Sequence, residues 1–286
     1  MKAPFALTLG LLASAALQSL HAQFSPAFLQ NGSYWDDGKA EVDFYDAQVM
    51  RDGQLRHCEM QMILTKTTAS IPKDPQDPSA TPPQTVPVIR MSQSLTIPRG
   101  MVNEQRASAL SFLLQGPLLT AEDVTTRTGE IISSYVFLQP GAKEITIERS
   151  SPRGKISFPL ADQPPAILRN ELPLRVRMLD LSKESGEFEI RLIDPEPPWD
   201  TPMTGAASSK LSFKVQKRTI EIELREEKAT NKFTVDRDFP FLLREWTTAD
   251  GSSYRLKNSL KADYQKYLKE GDREKALKDP MLRHPD

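Results

Sequence analysis

The sequence has very little of what metal and redox sites need. Its 286 residues include one cysteine, Cys58, and three histidines. A single cysteine excludes a disulfide within the chain. Beyond the apolar N-terminal stretch only His57 and His284 accompany Cys58, which is too few for a zinc site of the usual nitrogen and sulfur type. We therefore predict a protein with no metal and no cofactor.

Glycine and net charge are also in short supply. The chain has 13 glycines, and it contains no Gly-x-Ser-x-Gly, Walker or dinucleotide-binding glycine motif. Its formal net charge of −1 gives no strong field that would attract nucleic acid or an anionic membrane. The sequence therefore predicts no nucleic-acid partner and favours a non-enzymatic protein.

One strongly apolar stretch is present, and it lies at the start. Lys2 provides a positive charge, residues 3–17 are rich in alanine and leucine, and Leu20-His21-Ala22 offers a small residue at a cleavage point. The run is too short to span a membrane comfortably. We predict that residues 1–22 are a signal peptide, so that the mature protein begins at Gln23. It would then be exported, periplasmic or secreted, without a transmembrane segment.

The stretch from Trp35 to Thr67 predicts a long β-hairpin. Asp52-Gly53 is a preferred dipeptide for a two-residue turn, since both central residues need positive φ. Apolar and polar side chains alternate on the second strand, as in a half-buried strand. Its apolar set is Cys58, Met60, Met62 and Leu64. We expect the cysteine to be a small buried side chain rather than a reactive thiol.

The first strand of this hairpin has its own apolar set, Ala40, Val42 and Phe44. An uninterrupted register would place Asp43 opposite Met62 and leave that set in water. Exposing three such side chains costs about 1.5–3 kcal/mol each as an upper estimate, more than one broken ladder pair. We therefore predict a β-bulge at Tyr45-Asp46, which turns Phe44 toward Met60 and Met62.

Two proline-rich stretches interrupt the chain, and we predict loops at 68–87 and 194–209 because proline does not fit a regular sheet or helix. Alternating apolar residues and turn signals predict further strands between and after them. These strands are predicted at 88–97, 106–114, 124–138 with a turn near 128–129, 144–148, 155–158, 172–181, 187–193, 211–215, 220–224, 232–235, 239–246 and 252–257.

The C-terminal part has a helical pattern. Leu260, Tyr264, Tyr267 and Leu268 recur at helical spacing, which predicts a helix from Asn258-Ser259 to Gly271. A charged tail follows at 272–286. The expected fold class is all-β and mainly antiparallel: a curved sheet or half-barrel of long bulged hairpins with one C-terminal helix packed on it. We predict a single β-rich domain over 23–271.

Both ends of the chain resemble a group of exported bacterial proteins of unknown function, found in envelope-rich phyla such as Bacteroidetes and Verrucomicrobia. The residues that carry the resemblance are Tyr34-Trp35-Asp36-Asp37-Gly38-Lys39-Ala40-Glu41-Val42, Pro240-Phe241-Leu242-Leu243-Arg244-Glu245-Trp246, Asp250-Gly251 and Asp263-Tyr264. The resemblance implies export and a long hairpin after the signal peptide, and it brings no known activity.

Our leading functional hypothesis is an envelope protein that binds an apolar ligand or a lipid on its curved sheet. A flexible methionine-lined concavity beside aromatic rings suits an apolar guest, although the same side chains also serve as ordinary core. The candidate ligand-binding residues are Trp35, Phe44, Met60, Met62 and Trp246.

Two other hypotheses stay open. The proline-rich loops would dock other envelope proteins in an assembly or interaction factor. Alternatively, the carboxylates between Asp36 and Asp43 would serve a hydrolase, since paired carboxylates perform acid–base chemistry. His57 and Glu59 share a strand face, but a solvated face explains them better. The sequence gives no oligomeric state.

Overall fold

The computed structural model describes residues 23–71, 84–99, 102–127, 130–138, 144–150, 153–159, 166–194 and 206–263. The described strands form one mainly antiparallel sheet that curves without closing. They are β1 (Ala40–Arg51), β2 (Gln54–Ile71), β3 (Gln84–Arg99), β4 (Val102–Leu113), β5 (Leu118–Arg127), β6 (Glu130–Phe137), β7 (Glu144–Ser150), β8 (Arg153–Pro159), β9 (Ala166–Leu168), β10 (Ser185–Ile193), β11 (Ala207–Val215), β12 (Thr219–Arg225), β13 (Thr230–Asp236), β14 (Leu243–Thr247) and β15 (Ser253–Ala262). The predicted curved all-β fold is confirmed.

Strand β1 lies at the centre of the sheet. The chain runs outward from it through β2 to the edge strand β8, and the second half returns from the edge strand β9 to β15. Because β15 pairs with β1, the beginning and the end of the described chain lie side by side. Neighbouring strands are antiparallel except for β9 and β10, which are parallel.

Two single-turn helices precede β1 and pack into the core. They are α1 (Ala27–Gln30) and α2 (Gly32–Trp35). Phe28 and Trp35 are buried, and the Trp35 indole N–H donates a hydrogen bond of 2.8 Å to the Phe28 carbonyl oxygen. This bond satisfies the polar atom of an otherwise apolar buried ring.

A helical segment, residues 169–178, fills the inside of the curve. It consists of a 3-10 turn (Arg169–Glu171), α3 (Leu172–Arg175) and a second 3-10 turn (Val176–Met178). Every residue from Glu171 to Leu179 is buried. Arg175 is buried with the rest, because the Glu171 carboxylate lies 2.7 Å from its guanidinium.

The strand predicted at 172–181 is therefore wrong. Its apolar residues do alternate with Arg175 and Arg177, but both arginines have carboxylate partners inside the protein, so neither needs a solvent-facing side. Pro173 stands in the first turn of α3, where its missing N–H costs no helical hydrogen bond.

The bulge predicted at Tyr45-Asp46 is also wrong for the hairpin. Pairing between β1 and β2 runs without a break from Arg51, opposite Gln54, back to Glu41, opposite Leu64. A register shift does occur at Phe44/Tyr45, but between β1 and β15. The prediction assumed that one face of β1 is solvated, whereas both faces are buried.

Consequently β1 has two different buried faces. The inner face shares the side of Met60 and Met62 and carries the two carboxylates Glu41 and Asp43. The opposite face carries the apolar set in a separate small cluster, whose buried members are Ala40, Val42, Phe44 and Leu260. An inward carboxylate is tolerated here because it has an arginine partner.

Further boundaries differ from the predictions. The loop predicted at 194–209 ends earlier, because β11 begins at Ala207. β15 continues to Ala262, so no helix begins at Asn258; the rest of the predicted helix lies outside the described residues, as does the predicted signal peptide. The ends of the predicted loop at 68–87 are paired, with Thr68 opposite Pro87. Pro87 fits in the strand although it has no N–H to donate. The pairing of β3 with β4 ends at Val88, so no residue of β4 lies opposite Pro87.

Candidate functional site

A cleft of about 570 Å³ opens at the end of the curved sheet where β1 turns into β2. Strands β1–β5 form one wall and β13–β15 the other, while the start of the helical segment at 169–173 also lines it. This volume lies within the range of small-molecule sites in proteins, about 300–1,000 Å³. The cleft is therefore the candidate functional site.

The inner part of the cleft is apolar. Met60, Leu172 and Phe233 are each 4% exposed and Trp246 is 6% exposed. The indole of Trp246 stacks on the Tyr254 ring, with ring centroids 4.3 Å apart and an interplanar angle of 10°. This flat aromatic surface beside a flexible thioether can accommodate an apolar group of a ligand.

Two arginines lie at the more exposed part of the cleft and converge on one carboxylate. Glu104 Oε2 accepts a hydrogen bond from Arg51 Nε at 3.0 Å and lies 2.9 Å from Arg51 Nη2, and Glu104 Oε1 accepts one from Arg106 Nε at 2.8 Å. The arginine side chains are 26% and 35% exposed, whereas Glu104 is fully buried. We call Arg51, Glu104 and Arg106 the rim trio.

The polar groups elsewhere in the cleft are paired with one another. Arg169 donates two hydrogen bonds to Glu226, at 2.9 and 2.8 Å, and lies 3.6 Å from Asp194. These bonds from Arg169 lower the pKa of Glu226. Asn170 donates to Asp123 at 2.6 Å. One guanidinium thus faces two carboxylates, and Asp123 bonds to a neutral amide, so this part of the wall is polar with an excess of carboxylates.

The structure brings two of the predicted ligand-binding residues to the cleft. Met60 and Trp246 line it on opposite walls. Met62 lies on the same face as Met60 but is fully buried, with the Gln93 amide nitrogen 3.7 Å from its sulfur. Trp35 belongs to the N-terminal part of the core, and Phe44 lies on the opposite face of β1. The ligand-binding role of all five remains a prediction.

A second group of charges lies at the other end of β1 and is closed to water. We call Tyr34, Glu41, Asp43, Arg177 and Ser259 the sealed cluster. Arg177 donates to both oxygens of Glu41, at 2.6 and 3.0 Å, and its Nη1 lies 3.8 Å from Asp43. Tyr34 also donates to Glu41, at 2.5 Å, and Ser259 donates to Asp43. The side chains of Glu41, Asp43 and Arg177 have no exposed surface.

The sealed cluster holds one more carboxylate than arginine. Burial, together with the neighbouring Glu41 carboxylate, raises the pKa of Asp43 well above its usual range. The raised pKa favours the protonated form of Asp43 in the folded protein. The cluster then contains one carboxylate and one guanidinium, which is the charge-matched state expected of buried ionic groups.

The carboxylates of the hydrolase hypothesis are divided between two environments. Asp36 and Asp37 are exposed and pair with Lys66 and Lys261, respectively. Glu41 and Asp43 belong to the sealed cluster, away from the cleft lining. His57 and Glu59 lie on an exposed strand face, as expected.

Sequence reasoning missed the rim trio. Its one local signal is the spacing of Glu104 and Arg106, which places both on one face of β4, followed on that face by apolar Leu110 and Phe112. That pattern shows a strand face that changes from polar to apolar. The partner Arg51 is 53 residues away from Glu104, so the sequence alone does not reveal the convergence.

No protein-family model matches the sequence, and no curated protein matches it. Among solved structures, the chain is similar to a beta-barrel-like protein of the domain of unknown function DUF1849 from Brucella abortus. The two are 8% identical, the match covers 79% of this chain and 98% of the other, and the TM-score is 0.45. Arguments about this chain's function therefore rest on its own residues.

The described residues provide neither a membrane-spanning helix nor a cluster of metal ligands. None of the described helices has the length and apolar character needed to cross a membrane. Within the same part of the chain, no three histidine, cysteine, aspartate or glutamate side chains are placed to hold a metal ion.

Proposed function

We propose that this chain is a non-enzymatic binding protein that holds an apolar ligand or a lipid in the cleft of its curved sheet. The observation that carries the proposal is the cleft itself: about 570 Å³ of space with a buried apolar inner wall that includes Met60, Phe233 and Trp246. Placing an apolar group against this wall removes the surface of that group from water, which provides a driving force for binding.

The arrangement of polar groups favours binding over catalysis. The charged side chains at the cleft are engaged with each other, as in the pairs Arg169–Glu226 and Arg51–Glu104. A nucleophile or general base needs a shifted pKa and a free approach to substrate. Paired arginines and carboxylates instead provide fixed hydrogen-bond donors and acceptors around a ligand.

The proposed location is the bacterial envelope. It is supported by the N-terminal stretch of residues 1–22, which has the features of a signal peptide, and by the resemblance of residues 34–42 to exported envelope proteins. Fractionation of cells that express the full chain tests it. A product recovered in the cytosol with residues 1–22 still attached would contradict the location.

Binding is tested by filling the cleft. Ser108 lies on the cleft face of β4 and is partly exposed, so Ser108→Trp should occupy space that a ligand needs. Ser212→Trp places the same ring on β11, outside the cleft lining, and serves as the matched control. We expect native mass spectrometry and organic extraction to detect co-purified lipid in the wild type and the control, but not in Ser108→Trp. A wild-type protein without co-purified or exchangeable apolar ligand would contradict the proposal.

One observation favours a second candidate, docking of another envelope protein. Ile131 and Tyr135 share the outer face of β6 and are 62% and 48% exposed, which is unusual for large apolar side chains. A pull-down from envelope extracts with the double variant Ile131→Lys, Tyr135→Lys tests it. Deletion of residues 72–83 in the same assay tests the proline-rich loop. Capture that neither change reduces would remove this candidate.

A further inference from the structure

We infer that the ligand of the cleft carries an oxyanion head group, a carboxylate or a phosphate, and that Arg51 and Arg106 of the rim trio bind it. The inference rests on the proposed function, since it assigns the head group of the ligand whose apolar part lies against Trp246. It specifies a single-chain acidic amphiphile rather than a neutral lipid.

The hydrogen-bond geometry of the rim trio leaves donors for a ligand. Arg51 uses Nε and Nη2 on Glu104, and Arg106 uses Nε. Among the described residues, Arg51 Nη1 and both Nη atoms of Arg106 have no hydrogen-bond partner. A guanidinium presents these N–H groups in a planar fork that fits two oxygens of one carboxylate or phosphate.

The net charge of the rim trio also favours an anionic ligand. Two guanidinium groups face one carboxylate, so the rim trio carries a net charge of +1. Cys58 and Tyr254 lie in the field of Arg106, but burial raises the pKa of the thiol to about 11 and that of the phenol to about 12, so both are neutral at physiological pH. An anion bound here would match the unbalanced positive charge.

Two other carboxylates of the cleft are bonded to neutral donors. Asp123 accepts a hydrogen bond from Asn170. Asp250 is held within its own turn by hydrogen bonds from Thr248 and from the backbone N–H of Ser252. Both carboxylates therefore hydrogen-bond to groups other than Arg51 and Arg106.

The two parts of the cleft that would hold the head group and the alkyl chain differ in their exposure to water. The arginines are 26% and 35% exposed, so water and a ligand head can reach them, while the inner wall at Trp246 is 6% exposed. Glu104, fully buried behind them, fixes the guanidinium groups before any ligand arrives. An amphiphile would therefore bind with its charge at the rim trio and its chain toward Met60 and Trp246.

The test compares three probes with the same alkyl chain: dodecanoate, dodecyl phosphate and dodecanol. Each is titrated calorimetrically, below its aggregation concentration, into mature protein freed of bound lipid. We expect at least one acidic probe to bind about tenfold more tightly than dodecanol, the effect of roughly one charge-assisted hydrogen-bond pair at a partly exposed site. The tighter of the two acids identifies the head group.

Variants assign the preference to the rim trio. Arg106→Gln should remove most of the tenfold preference, taken as the ratio of acid to dodecanol affinity within the same variant, whereas Arg106→Lys, which keeps the charge, should retain it in part. Arg255→Gln removes an arginine whose side chain is 75% exposed and lies outside the cleft lining, and it should preserve the preference. Circular dichroism of each variant confirms that it is folded.

The outcomes separate the two proposals. Equal binding of all three probes, or an acid preference that survives in Arg106→Gln, would overturn the head-group inference while the cleft remains an apolar binding site. If none of the three probes binds and no lipid co-purifies, the proposed function itself fails.

Discussion

Strand β1 carries an acid–arginine group near each end, and the two groups differ in their access to water. In the sealed cluster, Glu41, Asp43 and Arg177 have no exposed side-chain surface. In the rim trio, Glu104 is equally buried, but Arg51 and Arg106 are 26% and 35% exposed. Charges that water cannot reach must be satisfied within the protein, so the sealed cluster serves the fold, whereas the rim trio keeps donors for a ligand.

The comparison predicts that the largest single effect on stability comes from Arg177. Arg177→Met leaves Glu41 buried without its guanidinium partner, and removal of one partner of a buried ion pair costs about 3–5 kcal/mol. We expect a loss of that size in the free energy of unfolding, measured by urea denaturation. The triple variant Arg177→Met, Glu41→Gln, Asp43→Asn should recover part of it, because no charge remains. A loss below about 1 kcal/mol for Arg177→Met would show that the cluster is not sealed.

The same substitution at each end of β1 sharpens the contrast. Glu41→Gln removes the carboxylate that accepts two hydrogen bonds from the fully buried Arg177 and leaves Asp43, 3.8 Å from its Nη1, as the remaining acid of the cluster, so we expect a loss of about 3 kcal/mol. Glu104→Gln leaves two arginines that water can reach, so we expect about 1 kcal/mol. Urea denaturation of both variants measures the difference. Equal losses would mean that exposure of the arginines does not distinguish the two groups.

The sequence predicted much of the sheet because side chains that alternate between core and solvent leave a clear pattern. Asp52-Gly53 and the alternation after it located the first hairpin and its register near the turn. The pattern fails where both faces are buried, as on β1, since no polar face then marks the outside. It also fails for residues 172–178, whose alternation suits a strand but whose two arginines find partners inside.

The candidate site was predictable only in its apolar part. Met60 and Trp246 stood out as large side chains on predicted strands, and both line the cleft. The charged partners did not, because their pairing depends on which strands the curved sheet brings together: Arg51 and Glu104 are 53 residues apart. A pattern with a period of two positions assigns faces within a strand, but not which distant strands converge.

The pH dependence of stability separates the two groups further. The folded protein holds a proton on Asp43 that the unfolded chain releases above about pH 4. This contribution is therefore present below the ordinary carboxyl pKa and is lost as pH rises toward the raised pKa. The free energy of unfolding should fall with rising pH in this window, by up to about 1.4 kcal/mol per unit. Urea denaturation at several pH values in this window measures the slope of the free energy of unfolding against pH. Asp43→Asn should flatten it and Glu104→Gln should not, while parallel slopes for Asp43→Asn and the wild type would contradict a protonated Asp43.

The smallest expected effect tests how far the field of the rim trio extends into the core. Burial raises the pKa of the Cys58 thiol to about 11, and Arg106 acts in the opposite direction. Loss of that guanidinium should raise the pKa further and reduce the thiolate fraction. We expect iodoacetamide to label Cys58 in folded Arg106→Gln about two- to three-fold more slowly than in the wild type, with Arg255→Gln unchanged. Rates that do not vary with low urea exclude labelling through unfolding. Labelling that is equally fast in Arg106→Gln would mean that solvent at the rim trio screens its charge from the core.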